Sequence, residues 1–126
     1  MNKKILLIED ERILSEMYAA RLEREGYEVI NSRDAEGGIT LIKKEKPNLI
    51  LLDLLLPGMQ GQEALKILKE DPVTKDIPII ILSNYDTPKV RKQSKEYNTK
   101  YILKADITTR DLVELVREEM ESPGQE

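Results

Sequence analysis

Three runs of consecutive apolar residues constrain this chain more than any other feature: Ile5–Ile8, Leu49–Leu52 and Ile79–Leu82. None alternates apolar with polar, so a strand built from any of them must be covered on both faces. Segments with helical spacing separate them, as Leu14, Met17, Tyr18, Arg21 and Leu22 do before Gly26. The pattern predicts strands over Lys4–Ile8, Tyr27–Ile30, Asn48–Asp53, Pro78–Ser83 and Lys100–Leu103. It predicts helices over Arg12–Glu25, Ala35–Glu45, Gln62–Glu70 and Pro88–Glu96, and a last one from Thr108 or Thr109 to Met120.

Repeated strand–helix units imply an α/β fold, a doubly wound parallel sheet of (βα)5 type with right-handed crossovers and helices on both faces. The 126 residues suit one domain, taken as 1–121, with 122–126 as a polar C-terminal tail or the start of a linker. Asp34 is placed to cap the second helix, whose Gly37 and Gly38 should each weaken it by about 1 kcal/mol relative to Ala.

Composition removes several kinds of chemistry. There is no Cys and no His, which excludes thiol catalysis, thiolate or imidazole metal sites and a phosphohistidine carrier. The net charge of −4 argues against direct nucleic-acid binding. No signal peptide is visible, and no apolar run approaches the length of a membrane span, so a cytoplasmic protein with no membrane contact is expected. Carboxylates, hydroxyls, Lys and a hard cation remain.

In open parallel sheets the site lies at the carboxyl ends of the strands. Here those ends carry Glu9-Asp10-Glu11, Asp53, Ser83-Asn84 and Lys104. Oxygen-only ligands around Glu9, Asp10 and Asp53 point to Mg²⁺. Asp53 is a candidate nucleophile for a phosphoryl group, with Ser83 as a hydrogen-bond donor and Lys104 as a counter-charge. Plainer roles stay open for each: the acidic run suits a helix start, Ser83 could cap a helix, and a lone Lys104 could be an ordinary surface lysine. They leave unexplained why Asp53 ends an otherwise apolar strand. No phosphate-binding loop, dinucleotide fingerprint or nucleophile elbow occurs.

The segments ILLIEDE (5–11), LILLDLLLPGMQG (49–61), IPIIILSN (77–84) and YILKAD (101–106) together resemble the receiver domain of bacterial two-component response regulators, as in single-domain chemotaxis receivers. The resemblance covers roughly residues 3–121 and implies a flavodoxin-like sheet of strand order 2-1-3-4-5. It further implies Asp53 as phosphoacceptor, and Glu9, Asp10, Asp53 and the backbone carbonyl of Leu55 around Mg²⁺. By the same resemblance Ser83 and Lys104 contact the phosphoryl group and Tyr101 is the switch aromatic. Leu55 and Tyr85 then flank the water that hydrolyses the acyl phosphate, and their bulk predicts a slow loss of phosphate.

The implied partners are a histidine kinase or a histidine phosphotransfer protein, docking near Ile13, Leu14 and Met17, of which Ile13 and part of Met17 should be exposed. The face of the fourth helix, fifth strand and fifth helix would serve a protein effector or a phosphorylation-promoted homodimer, with Lys89, Arg91, Lys92, Lys95, Lys100, Arg110, Glu114, Arg117 and Glu118 on it. Such a chain catalyses only its own phosphorylation and dephosphorylation and is not a conventional enzyme. The alternatives are a Mg²⁺-dependent aspartyl-nucleophile phosphatase and a non-phosphorylated interaction module. The phosphatase reading lacks a second Asp two residues after Asp53, where Leu55 stands. One departure from the family is Ala105, which takes the place of a proline often preceded by a cis bond. A cis bond before a non-proline residue costs about 3–4 kcal/mol, so a trans bond is expected.

Overall fold

The three apolar runs form the centre of a five-stranded parallel sheet in a computed structural model that describes residues 3–121. The strands are β1 (Lys4–Ile8), β2 (Glu28–Ser32), β3 (Leu49–Leu52), β4 (Ile79–Ser83) and β5 (Lys100–Leu103), in the order β2-β1-β3-β4-β5. The helices are α1 (Arg12–Arg24), α2 (Ala35–Glu45), α3 (Gly61–Glu70), α4 (Pro88–Glu96) and α5 (Thr109–Glu121). Both the expected fold and the expected strand order are found. The segment 122–126, read as a tail, lies outside the described residues.

Successive residues of a strand point to opposite faces. Leu6, Ile8, Ile50, Leu52, Ile79 and Ile81 therefore pack with α2, α3 and α4 on one side. Ile5, Leu7, Leu49, Leu51, Ile80 and Leu82 pack with α1 and α5 on the other. Every residue of β3 and β4 is buried, which is why neither strand carries a polar alternation. The edge strands are only partly covered.

The differences from the sequence reading lie at element ends. β2 begins one residue later and ends two residues later than its apolar stretch, because pairing with β1 continues through Leu7 opposite Asn31 and Ile8 opposite Ser32. Tertiary pairing overrides the weak strand preference of Asn and Ser there. α1 stops at Arg24, Glu25 caps it, and Gly26 takes the left-handed turn at φ +101°. A 3-10 turn over Lys104–Asp106, not anticipated, carries the chain from β5 towards α5. The Lys104–Ala105 bond is trans.

The two glycines of α2 have a packing reason. A Cβ on Gly38 would stand 2.5 Å from Ile8 Cδ1, so its absence lets α2 lie close on β1. The amide of Gly37 donates to Asp34 Oδ1 at 2.6 Å, the expected cap. Close approach to the sheet offsets the helix propensity lost.

Candidate functional site

Parallel strands bring their carboxyl ends to one edge, and β1, β3, β4 and β5 deliver Glu9-Asp10, Asp53, Ser83 and Lys104 there. Main-chain bonds extend the register past the strands: the Asp53 amide donates to the Ile8 carbonyl, and the Glu9 amide to the Ser32 carbonyl, both at 3.0 Å. The carboxylates thus stand on the rigid part of the fold rather than on free loops.

Lys104 organises the site. Its Nζ lies 2.5 Å from Glu9 Oε1 and 2.8 Å from Asp53 Oδ2, and all three side chains are at least nine-tenths buried. Burial alone would lower the Lys104 pKa, but its hydrogen bonds to Asp53 and Glu9 outweigh that and hold it above the ordinary lysine value. Burial pushes the Glu9 carboxyl up, and the bonds from Lys104 and the Glu11 amide offset this only in part. The Glu11 amide donates to Glu9 Oε2 at 3.0 Å, and the Leu55 amide to Asp53 Oδ1 at 3.1 Å. Each buried carboxylate therefore has a partner on both oxygens.

Glu9, Asp10 and Asp53 each offer an oxygen, and these lie within 4.8 Å of one another. With one ammonium against three carboxylates the cluster formally keeps two negative charges in excess. A hard, oxygen-only donor set of this charge fits Mg²⁺.

Ser83 is fully buried at the end of β4 and its Oγ accepts the Tyr85 amide at 3.2 Å. Tyr85 is half-buried and packs against the core cluster covered by α2, α3 and α4, so its ring is partly drawn away from the surface. Leu55 is 49% exposed between the buried Leu54 and Leu56. Ile13 is 78% and Met17 45% exposed, as expected for the start of α1, while Leu14 packs against the core. Tyr101 is half-buried and its hydroxyl is enclosed without a hydrogen-bond partner among the described residues.

The charged residues assigned to one face divide among several. Arg117 pairs with Glu114 and reaches Glu25 beside α1, at 3.0 and 3.3 Å. Lys89 and Lys92 line a groove between α3 and α4, with Gln62 and Lys66 opposite. Arg91 pairs with Asp86 in its own chain. The cause is helix rotation: α4 buries Val90 and Ser94, which turns positions 89 and 92 towards α3. Lys95, Lys100 and Arg110 make no ion pair among the described residues.

The sequence places Asn84 at the end of the fourth strand without giving it a role, and it gives Gly61 none either. Asn84 Oδ1 accepts the Ala105 amide at 3.0 Å, tying the loop after β4 to the turn after β5. Gly61 lies directly against the backbone of Asp53 and Leu54. A polar residue after a strand-end serine was the available signal for Asn84; for Gly61 there was only its place before a helix.

Known proteins share this fold. The family model of the response regulator receiver domain matches residues 5–117. The chain is 36% identical over 104 residues to protein PilH of Pseudomonas aeruginosa, covering 77% of this chain and 84% of that one. It is 33% identical to the alkaline phosphatase synthesis transcriptional regulatory protein PhoP of Bacillus subtilis, covering 100% of this chain and 54% of that one. The phosphate regulon transcriptional regulatory protein PhoB of P. aeruginosa is 43% identical over 83 residues, which are 66% of this chain and 36% of that regulator. The chain thus spans about half or less of these two transcriptional regulators. The crystal structure of a CheY-like receiver domain protein from Methanospirillum hungatei superposes with a TM-score of 0.90 at 29% identity, covering 99% of this chain and 97% of that one. With the family model, the relatives and the fold in agreement, this chain belongs to the receiver domains of two-component response regulators.

Proposed function

We propose that the chain is a phosphoryl-accepting switch, modified on Asp53 by a phosphohistidine donor. The observation that carries this reading is the Lys104 ammonium held between Asp53 and Glu9 at the strand ends, with Asp10 beside them. An Asp53 carboxylate oxygen attacks phosphorus in line with the leaving group. The acyl P–O bond forms as the donor's P–N bond breaks, and the electron pair leaves with the imidazole. The chain has no His, so the phosphohistidine must come from a kinase or a phosphotransfer protein.

Glu9, Asp10, Asp53 and the Leu55 carbonyl would hold Mg²⁺, which when bound supplies positive charge against the phosphoryl oxygens. Lys104 positions Asp53 before transfer and offers its ammonium to a phosphoryl oxygen afterwards. Ser83, whose Oγ accepts the Tyr85 amide here, turns its hydroxyl to donate to the same group, and Tyr101 responds to that movement. The phosphoryl group thereby biases two conformations, and a partner reads the surface that changes.

In this reading the switch works in the cytoplasm, meets its donor through Ile13 and Met17, and presents Lys95, Lys100 and Arg110 to an effector or a second copy. Among the described residues no helix is long and apolar enough to cross a membrane. The test is intact mass after incubation with a small acyl phosphate and Mg²⁺. The parent should gain one phosphoryl group and Asp53→Asn none; equal gain by both would overturn the assignment.

A further inference from the structure

The Arg91 guanidinium makes two contacts at once. Its Nε and Nη2 donate to the two oxygens of Asp86 at 2.7 and 3.1 Å. Its Cζ lies 4.3 Å from the centre of the Tyr101 ring. A planar guanidinium offers hydrogen bonds at its edge and charge at its face, so neither contact excludes the other. Asp86 belongs to the loop after Ser83, Arg91 to α4 and Tyr101 to β5. One side chain therefore links the loop after Ser83, α4 and β5.

The state of the ring matters. The Tyr101 hydroxyl is enclosed although it has no hydrogen-bond partner among the described residues, so none of their polar groups draws it inward. Ser83 is still engaged in its own loop, accepting the Tyr85 amide. Apolar packing and the Arg91 guanidinium over the ring's face are what hold it. Asp86 in turn fixes the guanidinium with two bonds rather than one.

We propose that the Asp86–Arg91 pair is a latch that holds Tyr101 inward before any phosphoryl group arrives, which makes Arg91 a positioning residue for the switch. The proposal rests on the reading of Asp53 as phosphoacceptor and of Tyr101 as the aromatic that turns inward with Ser83. Part of the conformational change is then complete in the resting chain, and a phosphoryl group binds more favourably by the fraction already inward. Both members of the latch are surface side chains, so their replacement leaves no cavity in the core.

The experiment uses the chain labelled with 3-fluorotyrosine, with the Tyr101 fluorine signal assigned through Tyr101→Phe. In protein free of metal and phosphate, the H₂O-to-D₂O shift of that signal should be small in the parent and larger in Arg91→Ala and Asp86→Asn. Arg91→Lys, which keeps the charge but loses the planar fork, should fall between. In a beryllium fluoride titration with Mg²⁺, Arg91→Ala and Asp86→Asn should need about three- to tenfold more ligand than the parent, as expected for one exposed ion pair plus one cation–π contact. The double variant should match the single ones, because both remove the same link. Equal unfolding midpoints with altered shift and affinity separate positioning from a merely structural role. An unchanged isotope shift in Arg91→Ala, or parental affinity in that variant, overturns the latch. If the parent takes up beryllium fluoride no better than Asp53→Asn, the phosphoacceptor reading fails instead, and the metal-free fluorine signal still judges the latch.

Discussion

Gly61 and Asp53 are in direct backbone contact: a Cβ on residue 61 would lie 2.5 Å from the Asp53 carbonyl oxygen and 2.4 Å from the Leu54 Cα. Those neighbours are main chain and cannot swing aside. Gly61→Ala should therefore cost about 2 kcal/mol of stability by overpacking and also slow phosphoryl uptake, because Asp53 is pushed from its place. Gly38→Ala meets the buried Ile8 side chain, 2.5 Å from Cδ1 and 2.8 Å from Cγ1, rather than main chain, and gains helix propensity, so it should cost less, about 1 kcal/mol. Urea unfolding of the two variants checks the order; equal losses would refute it.

Asp71 closes α3 by accepting the Val73 amide at 2.9 Å and pairs with Lys43 of α2 at 3.2 Å. The amide bond first, and the lysine second, hold its carboxyl below the usual carboxylate range. The folded state then favours the ionised form more than the unfolded state does. The stabilisation is complete above the unfolded value of 3.8 and fades as pH falls through the lower folded value. Asp71→Asn should lower the unfolding midpoint at neutral pH, and the gap to the parent should close in strong acid. A gap that stays constant with pH would contradict this.

The lifetime of the phosphorylated form should be set chiefly by Leu55. It is half exposed, whereas Tyr85 is partly drawn into the core. Leu55→Asn with Tyr85→Glu should speed phosphate loss about tenfold, a barrier change of about 1.4 kcal/mol, by admitting and orienting the attacking water. Leu55→Asn alone should supply most of that gain. The decay is followed after donor removal in excess Mg²⁺, and a parent that decays faster than the double variant would reverse the argument.

Donor docking can be separated from the chemistry. Ile13 is 78% exposed at the start of α1. Ile13→Glu should slow transfer from a phosphohistidine protein at least about fivefold, as for one apolar contact at an interface. Phosphorylation by a small acyl phosphate should stay unchanged. Equal slowing with both donors would mean that the substitution disturbs the site itself.

The sequence told most where burial was complete. Ile5–Ile8, Leu49–Leu52 and Ile79–Leu82 marked the central strands because both faces are covered, and their last residues located Glu9, Asp53 and Ser83. It told least where a neighbour decides. Asn31 and Ser32 join β2 only because β1 lies alongside. Gly38 owes its presence to Ile8 on β1, and Gly61 to the backbone of Asp53 and Leu54 folded back against it. The cations of α4 were assigned to one face, yet the rotation that buries Val90 and Ser94 sends Lys89 and Lys92 to a groove beside α3 and leaves Arg91 in a pair with Asp86.

Complete burial of β3 and β4 has a further consequence, for solubility. Their edges are occupied by β1 and β5, and the outer strands carry Glu28 and Lys100 at their starts, which discourages pairing with another chain. In the folded state the stickiest segments of the chain are thus out of reach. Once the sheet opens, Leu49–Leu52 and Ile79–Leu82 become short, uncharged, β-prone stretches free to pair between molecules. Heating a concentrated solution should therefore end in precipitation rather than refolding, and the shelf life of the protein will follow how rarely its centre is exposed.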